Sequence, residues 1–235
     1  MEVHMPDHPL HSWRDFWVHL GTITVGLLIA LGLEGIAVHL HHLQQRSEIL
    51  QNLEREGHTN RAVVAGDLKE LDKLEAWSKD SLAALNGANL VDGYASVPLH
   101  PHREMGLFLD PFSNVWDTAK SSATVDLLPR SKAEAYSLLY LQDEWLRPVG
   151  LRMFTLFSEM DTAATEMGLA DGRPAHLNAA QVTRLQDMHR RLLAIIAQER
   201  MTLKFYDVVN KAILDGATSQ QEVVEKLRVP HAFAD

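Results

Sequence analysis

The segment from Phe16 to Val38 constrains this chain more than any other, because only His19 and Glu34 among its 23 residues are ionisable. A helix needs about 20 predominantly apolar residues to cross a bilayer, and this segment reaches that length. It therefore predicts a membrane-spanning helix over residues 16–40, preceded by a short amino-terminal tail over residues 1–15.

Glu34 is the one acidic residue of the segment and stands near its carboxyl-terminal end. A carboxylate costs about 3 kcal/mol at the centre of a spanning helix and less toward the edge, while each large apolar residue returns about 0.3–0.6 kcal/mol. Two alternatives remain open: a buried core helix of a soluble protein, and a signal peptide, for which Ala37-Val38-His39 is a weak cleavage site. We expect an uncleaved anchor.

Two further features of this segment indicate what surrounds it. Trp13 and Trp17 are typical of the aromatic belt at a membrane interface, so we expect them to be interface anchors. Three small residues and the acid also recur every fourth position, in the order Thr22, Gly26, Ala30 and Glu34. This spacing predicts a helix-packing ridge against another membrane helix; the alternative is that small residues are simply common in such helices.

Composition excludes several classes of function. The formal charge is −9, the 13 histidines are scattered and there is no cysteine, so neither a phosphate-binding basic surface nor any cysteine-based site is expected. The P-loop, dinucleotide-binding, zinc-protease and serine-hydrolase motifs are all absent from the sequence. We expect no nucleic-acid binding, no enzyme activity and no cofactor.

After His42 the chain becomes polar, but the residues at every seventh position are mostly apolar. This register contains Leu43, Leu50, Gly57, Val64, Leu71, Ser78 and Leu85. It predicts a stalk, or first bundle helix, over residues 41–87, with a kink near Gly57 and an end at Asn86-Gly87.

Residues 88–235 are predicted to form the helical bundle domain, beginning with a loop over residues 88–111. Four helices should follow: one capped by Ser113 and ending before Leu127, one from Ser131 to Gly168 with a kink at Pro148, a long one from Asn178 to Asp215-Gly216, and a short one from Thr218 to Pro230. No strand of useful length is expected. The predicted fold class is all-α, an antiparallel helical bundle carried on a membrane anchor.

Two segments of the chain resemble a family of bacterial single-pass membrane proteins of unknown function. One is LGTITVGLLIALGLEGI with the histidines and charged helix that follow it. The other is SNVWDTAKSSATVDLLP, followed by Tyr136 and Tyr140 in a leucine-rich helix. The resemblance implies an amino-terminal anchor and an all-helical domain, and it assigns no activity.

Two sets of residues are candidates for ligand binding. Trp116, Asp117 and Lys120 concentrate aromatic and charged groups in one short helix and form a candidate ligand pocket. The competing interpretation is that Trp116 fills the bundle core, since its spacing from Val115 and Ala119 suits packing, while the charges are solvated.

Histidines supply the weak metal candidates. His19, His39 and His42 lie in or beside the span, where they could ligate a metal ion or a tetrapyrrole, although histidines are also common at interfaces. His100 and His102 form a loop pair for which a solvated turn is favoured.

Other charged side chains are predicted to be exposed on helices. His189 stands beside Arg190 and Arg191, which favours a surface face. Glu70 with Lys73, and Glu54 with Glu56, are interpreted as exposed helical charge.

The leading functional hypothesis is a non-catalytic membrane subunit that scaffolds a larger membrane complex, or its own oligomer, by helix packing and a helical domain. Its partners would be other membrane proteins or itself, and the lipid bilayer. The alternatives are a ligand-sensing helical bundle and a metal or tetrapyrrole protein. We expect a bacterial inner-membrane location with the carboxyl-terminal domain in the periplasm.

Overall fold

The computed structural model describes residues 13–99, 108, 110–169 and 173–228. Its first helix, α1, runs from Trp13 to Asn86 over 74 residues, so the predicted helix through the apolar segment and the polar segment after it is confirmed. It ends where predicted: the amide of Gly87 donates to the carbonyl of Ala83 at 3.0 Å. The chain divides into two compact units, residues 1–48 and 49–235, with the boundary inside α1.

The first unit contains the apolar part of α1. Every residue from Trp13 to Gln44 is exposed, including Ile23 at 68% and Leu28 at 62%. Within the described ranges, α1 is the one helix long and apolar enough to cross a membrane, judged by length and composition.

The second unit begins with the polar part of α1, which buries two stripes of side chains. One is the predicted seven-residue register, buried at Gly57, Val64, Leu71, Ser78 and Leu85. The other contains Leu53, Asn60, Asp67, Leu74 and Ser81. Sequence reasoning missed the second stripe because three of its five members are polar. The helix continues through Gly57, where a kink was expected.

The remaining elements are mostly helical. They are β1 (Tyr94–Val97), α2 (Asn114–Ser121), a 3₁₀ turn (Thr124–Leu127), α3 (Arg130–Tyr140), α4 (Asp143–Glu166), β2 (Ala175–Asn178), α5 (Ala179–Leu214) and α6 (Gln220–Leu227). The expectation of a mostly helical chain is confirmed.

A short antiparallel ribbon adds two strands that the sequence did not locate, although neither reaches the length that was excluded. β1 pairs with β2, with Tyr94 opposite Asn178 and Val97 opposite Ala175. Each strand has four residues and alternates exposed with buried side chains. In β1 an exposed position is occupied by the apolar Tyr94, so the segment does not alternate apolar with polar residues and gives no strand signal.

The helix predicted from Ser131 to Gly168 is two helices. α3 ends at Tyr140 and α4 begins at Asp143, so the break precedes Pro148, which lies inside α4. At the break, the Gln142 side chain donates to the carbonyl of Leu138 at 3.2 Å. Ser131 does not cap α3 either, because the capping position is Pro129 and has no side-chain hydrogen bond.

The caps of α5 and α6 are set locally by sequence. Asn178 accepts from the amide of Gln181 at 2.9 Å, and the Gln181 side chain accepts from the amide of Asn178, which confirms the predicted cap. α5 ends before Gly216, whose φ of +88° suits glycine. α6 is capped by Ser219, one residue after the predicted start. Pro230 lies outside the described residues.

Within the second unit, the polar part of α1 runs antiparallel to α5. Hydrogen bonds join Gly57 to Asn210, Arg61 to Asp207, Ser78 to His189 and Leu85 to Gln186, so positions rise along α1 as they fall along α5. α4 also packs on α5, while α3 contacts both α5 and α6.

Candidate functional site

The predicted packing ridge lies on the exposed part of α1. A continuous helix keeps residues four apart on one face, so Thr22, Gly26, Ala30 and Glu34 share a face. The Thr22 hydroxyl donates to the carbonyl of Val18 at 2.9 Å, which satisfies it inside its own helix. A Cβ added to Gly26 would meet nothing within 4 Å. The Glu34 side chain makes no hydrogen bond or ion pair with any residue that the structure describes.

The interface aromatics lie at the start of α1. Trp13 stacks on Phe16 at a ring-centroid distance of 5.4 Å, and Trp17 meets Trp13 edge to face at 5.7 Å. Trp13 is 74% exposed. The three rings therefore form a small aromatic cluster at the end of the apolar segment.

The histidine candidates do not converge. His19, His39 and His42 are exposed along α1, and across the described parts of the chain no three His, Cys, Asp or Glu side chains come together to hold a metal ion. His100 and His102 lie outside the described residues.

A buried polar anchor joins α1 to the start of α2 and to α3. The Tyr140 hydroxyl donates to Glu56 Oε1 at 2.6 Å, and the Val115 amide donates to Glu56 Oε2 at 2.9 Å. Glu56 is buried, so its assignment to exposed helical charge is wrong. The physical reason is its position three residues after Leu53, which turns it toward the core. Glu54 is exposed, as expected.

Asn60, one turn further along α1, completes this anchor. Its Nδ2 donates to the carbonyl of Phe112 and to Tyr206 Oη, both at 2.8 Å, and its Oδ1 accepts from the Phe112 amide at 2.7 Å. Asn60 is fully buried. Since buried polar groups require partners, the segment before α2 is fixed to α1 by hydrogen bonds at Phe112 and Val115.

Gly57 allows α5 to approach α1 closely. The Asn210 Nδ2 donates to the Gly57 carbonyl at 2.8 Å, and a Cβ on Gly57 would lie 2.8 Å from Asn210 Oδ1. A Cβ at this position would displace the buried side-chain amide of Asn210, so the close helix packing favours glycine here.

Trp116, one of the three predicted pocket residues, is buried. Its ring stacks on Tyr140 at 5.4 Å and lies 6.3 Å from Tyr136. Burial and the hydrogen bond to Glu56 raise the pKa of Tyr140, so its hydroxyl is a fixed donor. Burial, with the charge of Glu54, raises the pKa of Tyr136 to about 12.

The other two predicted pocket residues line a cleft between α2 and α4. Asp117 and Lys120 form an ion pair at 2.9 Å, and both side chains are more than half exposed. Lys120 and the Ser113 hydroxyl hydrogen-bond to the Asp117 carboxylate and lower its pKa. Ser113 was expected to cap α2. Its hydroxyl instead donates to Asp117 at 2.9 Å and makes no capping hydrogen bond.

The cleft beside this ion pair has a volume of about 370 Å³. Tyr140 forms part of its wall, and α4 contributes Glu144 and Arg147. The structure therefore brings Asp117 and Lys120 to a cavity, with Trp116 stacked behind the Tyr140 ring. The sequence contained no signal for Glu144 and Arg147 beyond their spacing of three on one helix.

His189 is buried, so its expected surface position is wrong. Its Nδ1 lies 3.1 Å from Ser78 Oγ, and its ring meets Trp77 edge to face at 4.9 Å. Burial lowers the pKa of His189 to about 4. The flanking Arg190 and Arg191 suggested exposure, and both are exposed; because each residue turns about 100° around a helix, their exposure does not extend to His189.

Glu199 is a second buried ionisable residue that sequence reasoning missed. Burial, assisted by the charges of Asp110 and Asp67 and opposed by Arg152, raises its pKa to about 7. Its Oε2 atom has no hydrogen-bond partner among the described residues. The side chain therefore favours the protonated form up to neutral pH.

Comparison of the chain with known protein families, curated proteins and solved structures finds no match.

Proposed function

We propose that this protein is a non-catalytic, single-pass membrane subunit that scaffolds a larger membrane complex or its own oligomer. The observation that carries this proposal is the exposed apolar segment of α1, together with its acid Glu34, which has no partner among the described residues. An apolar face of this extent is rarely left in water. A bilayer covers the apolar side chains, but it offers no hydrogen-bond or ionic partner to the carboxyl group of Glu34.

The acid indicates what else must be present. Ionisable residues in membrane helices face other helices and pair there, because leaving them in hydrocarbon is costly. Thr22, Gly26 and Ala30 share the face of Glu34 and would let a second helix approach closely. A partner helix that donates a hydrogen bond to Glu34 explains both features together.

The helical domain supplies a second surface for partners. Several large apolar side chains on α4 and α5 are exposed, among them Leu151, Phe154 and Met201. We propose that this domain is an antiparallel bundle that extends the contact begun by the anchor. Its buried polar anchor at Glu56 and Asn60 gives it a single, well-defined packing.

Site-specific crosslinking in native membranes tests the proposal, since the chain contains no cysteine and a single introduced cysteine can carry a thiol-attached photoreactive crosslinker. Gly26→Cys or Ala30→Cys should be captured by a partner, either another membrane protein or a second copy at twice the mass. Leu28→Cys, on the opposite face of the same helix, is the matched control and should give little product. Equal capture from all three positions, or from none while the protein functions, would contradict the packing ridge.

We further propose that the protein resides in the bacterial inner membrane with its helical domain in the periplasm. An alkaline phosphatase fused after Arg228 would then be active, because that enzyme needs an oxidising compartment to form its disulfides. A fluorescent protein that matures only in the cytoplasm, fused at the same residue, should stay dark. The reverse pair of results would place the domain inside.

A second candidate function is ligand sensing by the helical domain. The cleft between α2 and α4 supports it, because charged groups from two helices converge there. Its wall residue Tyr140 is hydrogen-bonded to Glu56 on α1, so a ligand in the cleft would contact a residue bonded to that helix. A ligand screen by thermal unfolding tests this function.

A further inference from the structure

The cleft between α2 and α4 combines charges of both signs. α2 contributes Asp117 and Lys120, and α4 contributes Glu144 and Arg147. The four side chains carry no net charge together. A simple anion would meet two carboxylates there, and a simple cation would meet two bases.

The two pairs differ in whether they are already satisfied. Asp117 and Lys120 bind each other at 2.9 Å. The side chains of Glu144 and Arg147, three residues apart on α4, make no hydrogen bond or ion pair with any described residue, although the positive charge of Arg147 helps to lower the pKa of Asp117. Residues three apart are neighbours on a helix surface, so the cleft presents one unpaired acid beside one unpaired base.

We propose that this cleft binds a small zwitterion of the free amino-acid class, with its carboxylate on Arg147 and its ammonium group on Glu144. The planar guanidinium of arginine can bind a carboxylate through two parallel hydrogen bonds. The Glu144 carboxylate accepts from an ammonium group. The Asp117–Lys120 pair lines the opposite wall and offers weaker contacts of both signs.

The size and wall of the cleft agree with this ligand class. Its volume of about 370 Å³ is near the lower end of the roughly 300–1,000 Å³ typical of small-molecule sites. Tyr140 turns its hydroxyl away toward Glu56, so its ring is available to contact the aliphatic part of a ligand. This inference rests on the ligand-sensing function and names its ligand.

Thermal unfolding of the full-length protein in detergent tests the assignment with defined probes. Glycine, L-alanine, L-glutamate and L-lysine carry both charges, whereas acetate and methylammonium each carry one. At a tenfold excess over Kd, at least one amino acid should raise Tm by about 3–6 °C. Acetate and methylammonium at the same concentration should leave Tm unchanged.

Variants of the unpaired residues test the site itself. Arg147→Gln and Glu144→Gln should each weaken binding of the stabilising amino acid at least tenfold by calorimetry, since each removes one charge-assisted hydrogen bond. Arg130→Gln and Glu134→Gln are the matched controls, because these residues form an exposed ion pair at 2.9 Å on α3. They should bind as the wild type does. The unliganded variants should keep the wild-type Tm.

The possible results distinguish an error in the ligand class from an error in the proposed sensing function. Stabilisation by acetate or methylammonium alone would overturn the zwitterion and leave a ligand-binding cleft. An amino acid that binds the Arg147→Gln and Glu144→Gln variants as tightly as the wild type would place its site elsewhere. No stabilisation by any of the six probes would overturn the zwitterion, and the sensing function would be contradicted only if the wider ligand screen also found no stabilising compound.

Discussion

In the first part of α1, up to Gln44, apolar side chains are exposed around the whole circumference of the helix. From Leu53 to Leu85 the same helix exposes mostly polar residues and buries two narrow stripes, which contain polar side chains as well. The polar side chains Glu56 and Asn60 are buried and bonded, while Glu34 is exposed and has no partner among the described residues. The second part of the helix thus lies between protein and water, whereas the first part, we propose, is surrounded by lipid.

The largest contrast should come from leucines in the two parts. Leu71 is fully buried, whereas Leu27 is 60% exposed. Leu71→Ala should lower the unfolding free energy of the helical domain by about 2–5 kcal/mol, because it leaves a cavity. Leu27→Ala should change it by less than about 0.5 kcal/mol. Urea unfolding in detergent, followed by circular dichroism, measures both. Equal effects would mean that the first part of α1 is packed in the same way.

Glu56→Ala should give the next largest effect, a loss of about 2–4 kcal/mol. The change leaves the Tyr140 hydroxyl and the Val115 amide buried without an acceptor. Glu54→Ala, two residues away and exposed, is the control and should be nearly neutral. Comparable losses in both variants would contradict the buried anchor.

The pH dependence of stability should change in opposite directions at two buried sites. Glu199 has a folded pKa of about 7, above its ordinary value, so its contribution to the unfolding free energy falls as pH rises from about 4.5 to 7. His189 has a folded pKa of about 4, below its ordinary value, so its contribution rises with pH between about 4 and 6.5. In the wild type these two slopes oppose each other.

Removing either group should expose the slope of the other. Between pH 5 and pH 6.5, the unfolding free energy of Glu199→Gln should rise by about 2 kcal/mol more than that of the wild type. For His189→Gln, the change in unfolding free energy over the same pH range should be lower than that of the wild type by a similar amount. Urea unfolding at both pH values measures the slopes, which do not depend on how much each substitution costs overall. Slopes that shift in the same direction would contradict this assignment.

The smallest contrast compares two glycines of the second part of α1. Gly57→Ala should cost about 1–2 kcal/mol, because its Cβ would lie 2.8 Å from Asn210 Oδ1. Gly66→Ala should stabilise by about 0.5–1 kcal/mol, since nothing lies within 4 Å of its Cβ and alanine is the better helix former. Thermal unfolding distinguishes the two signs. A stabilising Gly57→Ala would show that α5 does not require the glycine.

Sequence predicted the features that depend on local pattern. The end of α1 at Asn86, the cap at Asn178 and the seven-residue register from Gly57 onward all follow from residue types at short spacing. Each is decided by neighbours within about two helical turns, and a single sequence contains that information.

The features that sequence missed depend on distant partners. Glu56 and His189 look like surface residues until Tyr140 and Ser78 are placed against them from other parts of the chain. The β1–β2 ribbon joins segments about eighty residues apart with four residues each, and the cleft acquires Glu144 and Arg147 only when α4 packs beside α2. Burial of a polar residue is decided by tertiary packing, which local pattern does not report.

If lipid surrounds the first part of α1, as we propose, the protein should resist extraction from membranes by aqueous solutions. Cells expressing the full-length protein are lysed without detergent, and the membranes are washed with alkaline carbonate, which removes peripheral proteins. The intact protein should stay in the membrane pellet and be released only by detergent. Recovery of the intact, unclipped protein in the aqueous fraction would contradict it.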